Sequence, residues 1–171
     1  MSAERGGPAF CAERDGPASC AERDGPAHAG RLVPGGHRLE VRVYFEDTDF
    51  SGVVYHARYL HFLERGRTDY LRWHGIGHRE LMDGRFGDPM AFAVRHMEID
   101  FLRPARIDDI LTVETRTALL GGARVVLEQT IACGDQCLVK ARVKVAVIAP
   151  DGRPRRMPAA VAQRLGADAD S

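Results

Sequence analysis

Hydrophobic and polar positions change their period several times along the chain, and each change marks an element. From about residue 37, Leu39, Val41, Val43 and Phe45 alternate with polar or aromatic neighbours, the two-residue period of a strand. An acidic loop, Glu46-Asp47-Thr48-Asp49-Phe50-Ser51-Gly52, follows. Over residues 56–74 the alternation stops: Leu60, Leu63, Tyr70 and Leu71 fall at helical spacings with Glu64, Arg65 and Arg67 between them, which predicts one amphipathic helix. Gly75 and Gly77 end it, and a short helical turn over residues 79–82 comes next. Residues 90–102 read as extended, with Phe92 and Val94 on one parity and Met97, Ile99 and Phe101 on the other, and that switch predicts a bulge. After Pro104 and the Asp108-Asp109 turn, Leu111, Val113, Thr115 and Thr117 share a strand face, and Gly121-Gly122 makes a hairpin. Two more strands follow. One carries Val125, Leu127, Ile131 and Cys133 on one side; the other alternates Val139, Ala141, Val143, Val145 and Val147 with Lys140, Arg142 and Lys144.

Strand, helix, then four strands joined by short connections demands an antiparallel sheet with its apolar face against the helix, an α+β sandwich of five strands and one long helix. A helix of about eighteen residues spans ~27 Å, so it can lie across the sheet without protecting both sheet edges. Pairing of edge strands between two copies is the expected remedy.

Residues 2–28 are three nine-residue copies, SAERGGPAF, CAERDGPAS and CAERDGPAH, too polar and too short to bury a core. The expected organisation is therefore a disordered repetitive tail over residues 1–36, one folded domain over 37–150, and a C-terminal tail over 151–171 with room for a short helix. A chain of 171 residues with 44% hydrophobic side chains can support such a domain without disulfides. Its 24 basic and 24 acidic side chains cancel, so nothing in the overall charge attracts nucleic acid or anionic lipid. Neither a secretory leader nor a membrane-length apolar run is visible, which leads to the expectation of a soluble, cytoplasmic protein without an integral membrane segment. Cys133 and Cys137 flank a Gly134-Asp135 turn with no histidine nearby and are expected as free thiols.

The stretch from Arg42 to Arg67, RVYFEDTDFSGVVYHARYLHFLERGR, carries the chemistry. It sets a carboxylate, Asp49, in a loop a few residues before a helix start. Asp49 can act on a carbonyl carbon as base or nucleophile, and unpaired backbone NH groups around Tyr55 and His56 can stabilise the oxyanion that forms. Gly52 supplies the sharp turn between them. The specific pattern is Arg42-Val43, then Thr48-Asp49, Gly52 and Val53-Val54-Tyr55-His56 opening the helix, with a looser Pro104-Ala105-Arg106 turn running to Leu111. This resembles the acyl-CoA thioesterases of the 4-hydroxybenzoyl-CoA thioesterase family, in particular the bacterial YbgC branch linked to the Tol-Pal system. The resemblance implies the hotdog fold, a homodimer or homotetramer, the His56 amide as oxyanion donor, and hydrolysis of a fatty or aromatic acyl-CoA with no cofactor. An acyl carrier protein stays open as the carrier in place of coenzyme A.

Each candidate also has a plainer reading. Asp49 alone before a helix is a turn or capping residue, and Asp47 and Glu46 form the turn and solvate it. The His56 imidazole titrates near neutrality and can serve as a second acid or base or simply line the helix start. Gly52, Val54, Tyr55 and Tyr59 are the candidate substrate contacts, although tyrosines in such positions also pack. Glu64 is the second catalytic candidate because some hotdog enzymes take their carboxylate from the helix; its plain reading is a solvated residue paired with Arg67 or Thr68. His56 and His61 are five apart, the wrong helical spacing for a shared ligand, and no metal is expected. Two rival functions remain: a hotdog dehydratase or hydratase on acyl carrier protein substrates, and a noncatalytic acyl-binding or scaffolding module near cell envelope machinery.

Overall fold

A computed structural model describes residues 29–166; the nine-residue repeats lie outside them. Six antiparallel strands form one sheet: β1 (Arg31–Val33), β2 (Gly36–Arg42), β3 (Ala91–Phe101), β4 (Ile110–Gly121), β5 (Arg124–Cys133) and β6 (Gln136–Ile148). Their spatial order is β1-β2-β4-β5-β6-β3. Helix α1 (His56–Trp73) lies on one sheet face, and two shorter helices, α2 (His78–Met82) and α3 (Ala159–Gly166), close its far end. Strand β1 corrects the expectation of five. It is only three residues long, too short to show alternation, and Pro34-Gly35 folds it back onto β2 with Gly35 at φ +75°.

The core forms where the apolar parities meet the helix. Leu111 and Val113 of β4, Ile131 of β5 and Val139, Val143 and Val147 of β6 are buried against Phe62, Leu63 and Tyr70 of α1. The expected bulge in β3 is present as a register shift between Val94 and His96, which moves the apolar positions from one parity to the other. Cys133 pairs with Gln136 and Cys137 with Ala132, so the two sulfurs leave opposite faces of the hairpin and both thiols are free.

A buried polar rivet fixes the helix on the sheet. The Gln129 amide donates to the Leu63 carbonyl at 2.9 Å and to Thr115 Oγ1 at 2.8 Å, and its Oε1 accepts from Arg67 at 2.9 Å. Gly66 makes this approach possible. A Cβ there would stand 2.8 Å from Val113 Cγ1 and 3.0 Å from Thr115 Oγ1, so bare backbone is what lets α1 sit this low. One turn on, the Tyr70 hydroxyl meets Thr117 Oγ1 at 2.7 Å. At the helix end, Arg164 of α3 donates to the carbonyls of His74 and Gly75 and lies 5.1 Å over the Phe86 ring, a cationic cap on the negative end of α1.

Candidate active site

The acidic loop is a small hairpin set against the start of α1. Thr48 bridges Val54; the Asp49 amide donates to the Val53 carbonyl at 3.0 Å, and the Gly52 amide to the Asp49 carbonyl at 3.0 Å. Gly52 sits at φ +76° with open space around its Cβ position, so the demand for glycine is conformational. The fold thereby holds Asp49 beside the strand segment that leads, two residues later, into His56.

Asp47 and Asp49 have opposite surroundings. Asp47 is 3% exposed; its carboxylate accepts from the Tyr44 amide at 2.9 Å and from Arg58 Nε at 2.7 Å, while its carbonyl accepts from the Tyr55 amide. It ties the loop to the first turn of α1. Asp49 is partly exposed, and its Oδ1 accepts from the Ser51 hydroxyl and the Ser51 amide, 2.5 and 2.8 Å away. The Val53 amide adds a weaker backbone contact to the carboxylate. The Ser51 hydroxyl, then the Ser51 amide, hold the Asp49 carboxyl below the ordinary carboxylate range, so it stays ionised at mildly acidic pH. Ser51→Ala removes the larger of these supports. The Asp49 pKa then rises, its carboxylate is protonated sooner as pH falls, and the acid limb of the kcat/KM profile is expected to move to higher pH with the neutral plateau kept.

At the helix start, Tyr55 is the N-cap and makes no side-chain cap bond, and no acidic residue occupies the first turn. The amides of His56 and Ala57 therefore have no acceptor among the described residues, an uncompensated positive end pointing out of the fold. The exposed His56 ring lies edge-on to Phe101 of β3 with centroids 6.4 Å apart, and Tyr55 is half exposed beside it. Val54 and Tyr59 are 4% and 3% exposed; the Val54 amide donates to the Ala105 carbonyl, and the Tyr59 hydroxyl accepts from the Ala105 amide at 2.8 Å. Their visible work is to pin the turn at Ala105 under the helix start.

Glu64 stands apart from this group, eight residues or ~12 Å along α1 from His56. One of its oxygens accepts from the Thr68 hydroxyl at 3.1 Å and the other pairs with Arg67. Thr68 in turn lies 3.4 Å from His78 Nε2. These three polar groups border a narrow crevice of about 50 Å3 between α1 and the sheet, whose inner walls are apolar. Reading from sequence missed Asp47 as the buried anchor and Gln129 as the rivet. The second had a signal, since residue 129 is a polar gap in the apolar parity of β5.

An antiparallel sheet laid on one long helix, with a carboxylate hairpin at the helix mouth, defines the hotdog class of fold. The chain belongs to the thioesterase superfamily, whose family model matches residues 51–140. It is 44% identical over 117 residues to an acyl-CoA thioesterase, YbgC, of Haemophilus influenzae, covering 68% of this chain and 84% of that one. It is 40% identical over 126 residues to an acyl-CoA thioester hydrolase, YbgC, of Escherichia coli, covering 72% and 91%. A probable thioesterase from Bartonella henselae, solved by crystallography, superposes with a TM-score of 0.70 at 53% identity, covering 72% of this chain and 99% of that one.

Proposed function

We propose that this protein hydrolyses acyl-CoA thioesters to the free acid and coenzyme A, with Asp49 as the working carboxylate and the His56 amide as oxyanion donor. The observation that carries the reading is the uncapped start of α1, whose first amides have no acceptor among the described residues, at the end of the hairpin that carries the partly exposed Asp49 carboxylate. The thioester carbonyl oxygen points at the amides; Asp49 takes a proton from water as that water attacks the carbonyl carbon, or itself attacks to give an anhydride that water opens. The C–S bond breaks and the thiolate leaves with a proton. Either route needs the same placement. Tyr55 and Gly52 border the approach, and Glu64 is the second candidate carboxylate.

The active form in this reading is a homodimer paired through β3. That strand has eleven residues and a single neighbour, whereas the opposite edge is the three-residue β1. Large apolar side chains, Tyr55, Leu60, Val94, Phe101 and Leu102, stay exposed along α1 and β3. Antiparallel pairing of two copies of β3 sets the Phe101 end of one against the Ala91 end of the other. Each helix start then faces the partner's crevice mouth at Glu64 and Val94. Among the described residues no helix is long and apolar enough to cross a membrane.

The test is thiol release from short, long and aromatic acyl-CoAs, and from the same acyl groups on an acyl carrier protein, alongside sedimentation. Turnover of acyl-CoA by a dimer or a dimer of dimers is expected. Binding without turnover identifies a noncatalytic acyl-binding module instead, and hydration or dehydration of the acyl group without thiol release identifies the rival enzyme.

A further inference from the structure

The narrow crevice between α1 and the sheet has a direction that the strand register defines. Its exposed end lies at Val94, Glu64 and His78. Val94 pairs with Val145 on the next strand, and Val145 with Val125 on the one after, so the apolar wall runs inward from the β3 edge across β6 to β5. Two strand spacings make this path ~10 Å. Beyond β5 lies β4, and there α3 packs, with Gly166 against Leu120. The crevice lining at that end includes Leu165 of α3, which is 1% exposed. Leu165 is outside the segment that matches the family model, which ends at residue 140.

An apolar cavity of roughly 150 Å3 takes one benzene, about 25 Å3 per carbon atom. The crevice measures about 50 Å3, room for about two carbon atoms past its mouth before a side chain has to give way. Among the buried wall residues, Leu165 is the one carried by a short terminal helix and not by the sheet or α1. We propose that the acyl tail of the substrate enters this crevice and that Leu165 is its end stop, the specificity-determining residue for acyl length. The inference rests on the thioesterase reading and the β3-paired dimer above, because the mouth at Glu64 is ~12 Å along α1 from His56 of its own chain and receives the acyl tail of a thioester held at the helix start of the other copy. It gives the substrate class as straight, unbranched, uncharged acyl groups: branching collides with Val145 and Val125 on the wall, and a charge would be stranded among them.

Truncating Leu165 to alanine removes three carbons and so opens the end by about three carbon atoms' worth of space. The experiment measures kcat/KM for straight-chain acyl-CoAs from two to twelve carbons with wild type, Leu165→Ala and the milder Leu165→Val. Leu81→Ala is the control, since Leu81 is equally buried but does not line the crevice. The optimum is expected to move by two to four carbons in Leu165→Ala and by about one in Leu165→Val. Discrimination against the next longer chains should fall about tenfold or more. Leu81→Ala should melt earlier with an unmoved optimum. If Leu165→Ala does not fold, the Leu165→Val profile decides alone. Turnover with the same optimum in the folded Leu165 variants, or an equal shift in Leu81→Ala, overturns the inference while leaving the thioesterase reading standing. Failure of wild type on every substrate overturns both.

Discussion

Replacing Asp49 by asparagine is expected to lower kcat on any accepted thioester by about a hundredfold to ten-thousandfold, the range a positioned general base contributes. The fold should hardly notice. Asp49 is partly exposed, and its structural bonds are those that Oδ1 accepts from the Ser51 amide and hydroxyl, which an asparagine oxygen can also accept. What the variant loses is the negative charge and the basicity of the carboxylate. Thiol-release kinetics with a thermal melt check both halves. Glu64→Gln is the internal comparison, because Glu64 already spends one oxygen on Thr68 and the other on Arg67. Full turnover by Asp49→Asn together with loss in Glu64→Gln would move the catalytic role onto the helix.

Two residues earlier, the same chemical change acts on the fold. Asp47→Ala is expected to lower the unfolding free energy by about 3 kcal/mol, the lower end of what removing one member of a buried ion pair costs, since Arg58 keeps some contact with solvent. The variant removes the closer of the two carboxylates on the Arg58 guanidinium, keeping Glu46 at 3.3 Å, and leaves the Tyr44 amide without its acceptor. Denaturant unfolding measures the loss, and Asp47→Asn, which keeps the size and an acceptor oxygen, should lose less. Asp49→Asn with normal stability and poor turnover, set against Asp47→Ala with poor stability, separates the two carboxylates of one motif.

That separation marks where sequence stops being informative. Both aspartates sit in one polar loop, and no periodicity says which faces inward; only the hairpin geometry, with Thr48 opposite Val54, turns Asp47 under the helix and Asp49 outward. The helix was legible because an amphipathic run of eighteen residues repeats its pattern many times, and the observed bounds, His56–Trp73, lie within a residue of those expected. The β3 bulge was legible for the same reason, as a break in a long alternation. Strand β1 was not, since three residues beside a Pro-Gly turn cannot show a period. Gln129 and Arg67 occupy positions that the apolar pattern assigns to the core. Their polarity there signals a buried network, but a single chain does not reveal that each supplies the other's partner.

The order of strands in the sheet also bears on how the molecule is assembled in time. β4, β5 and β6 are joined by tight hairpins and can zip together locally, whereas β3 must wait for β6, the last strand made, and so closes a loop of about forty residues against chain entropy. The edge that would recruit a second copy is therefore among the late pieces to be laid down. Until β3 docks, the thirteen-residue β6 is itself the open edge, so a half-built monomer exposes a rail that β3 later covers, and pairing of two copies through β3 comes after that docking.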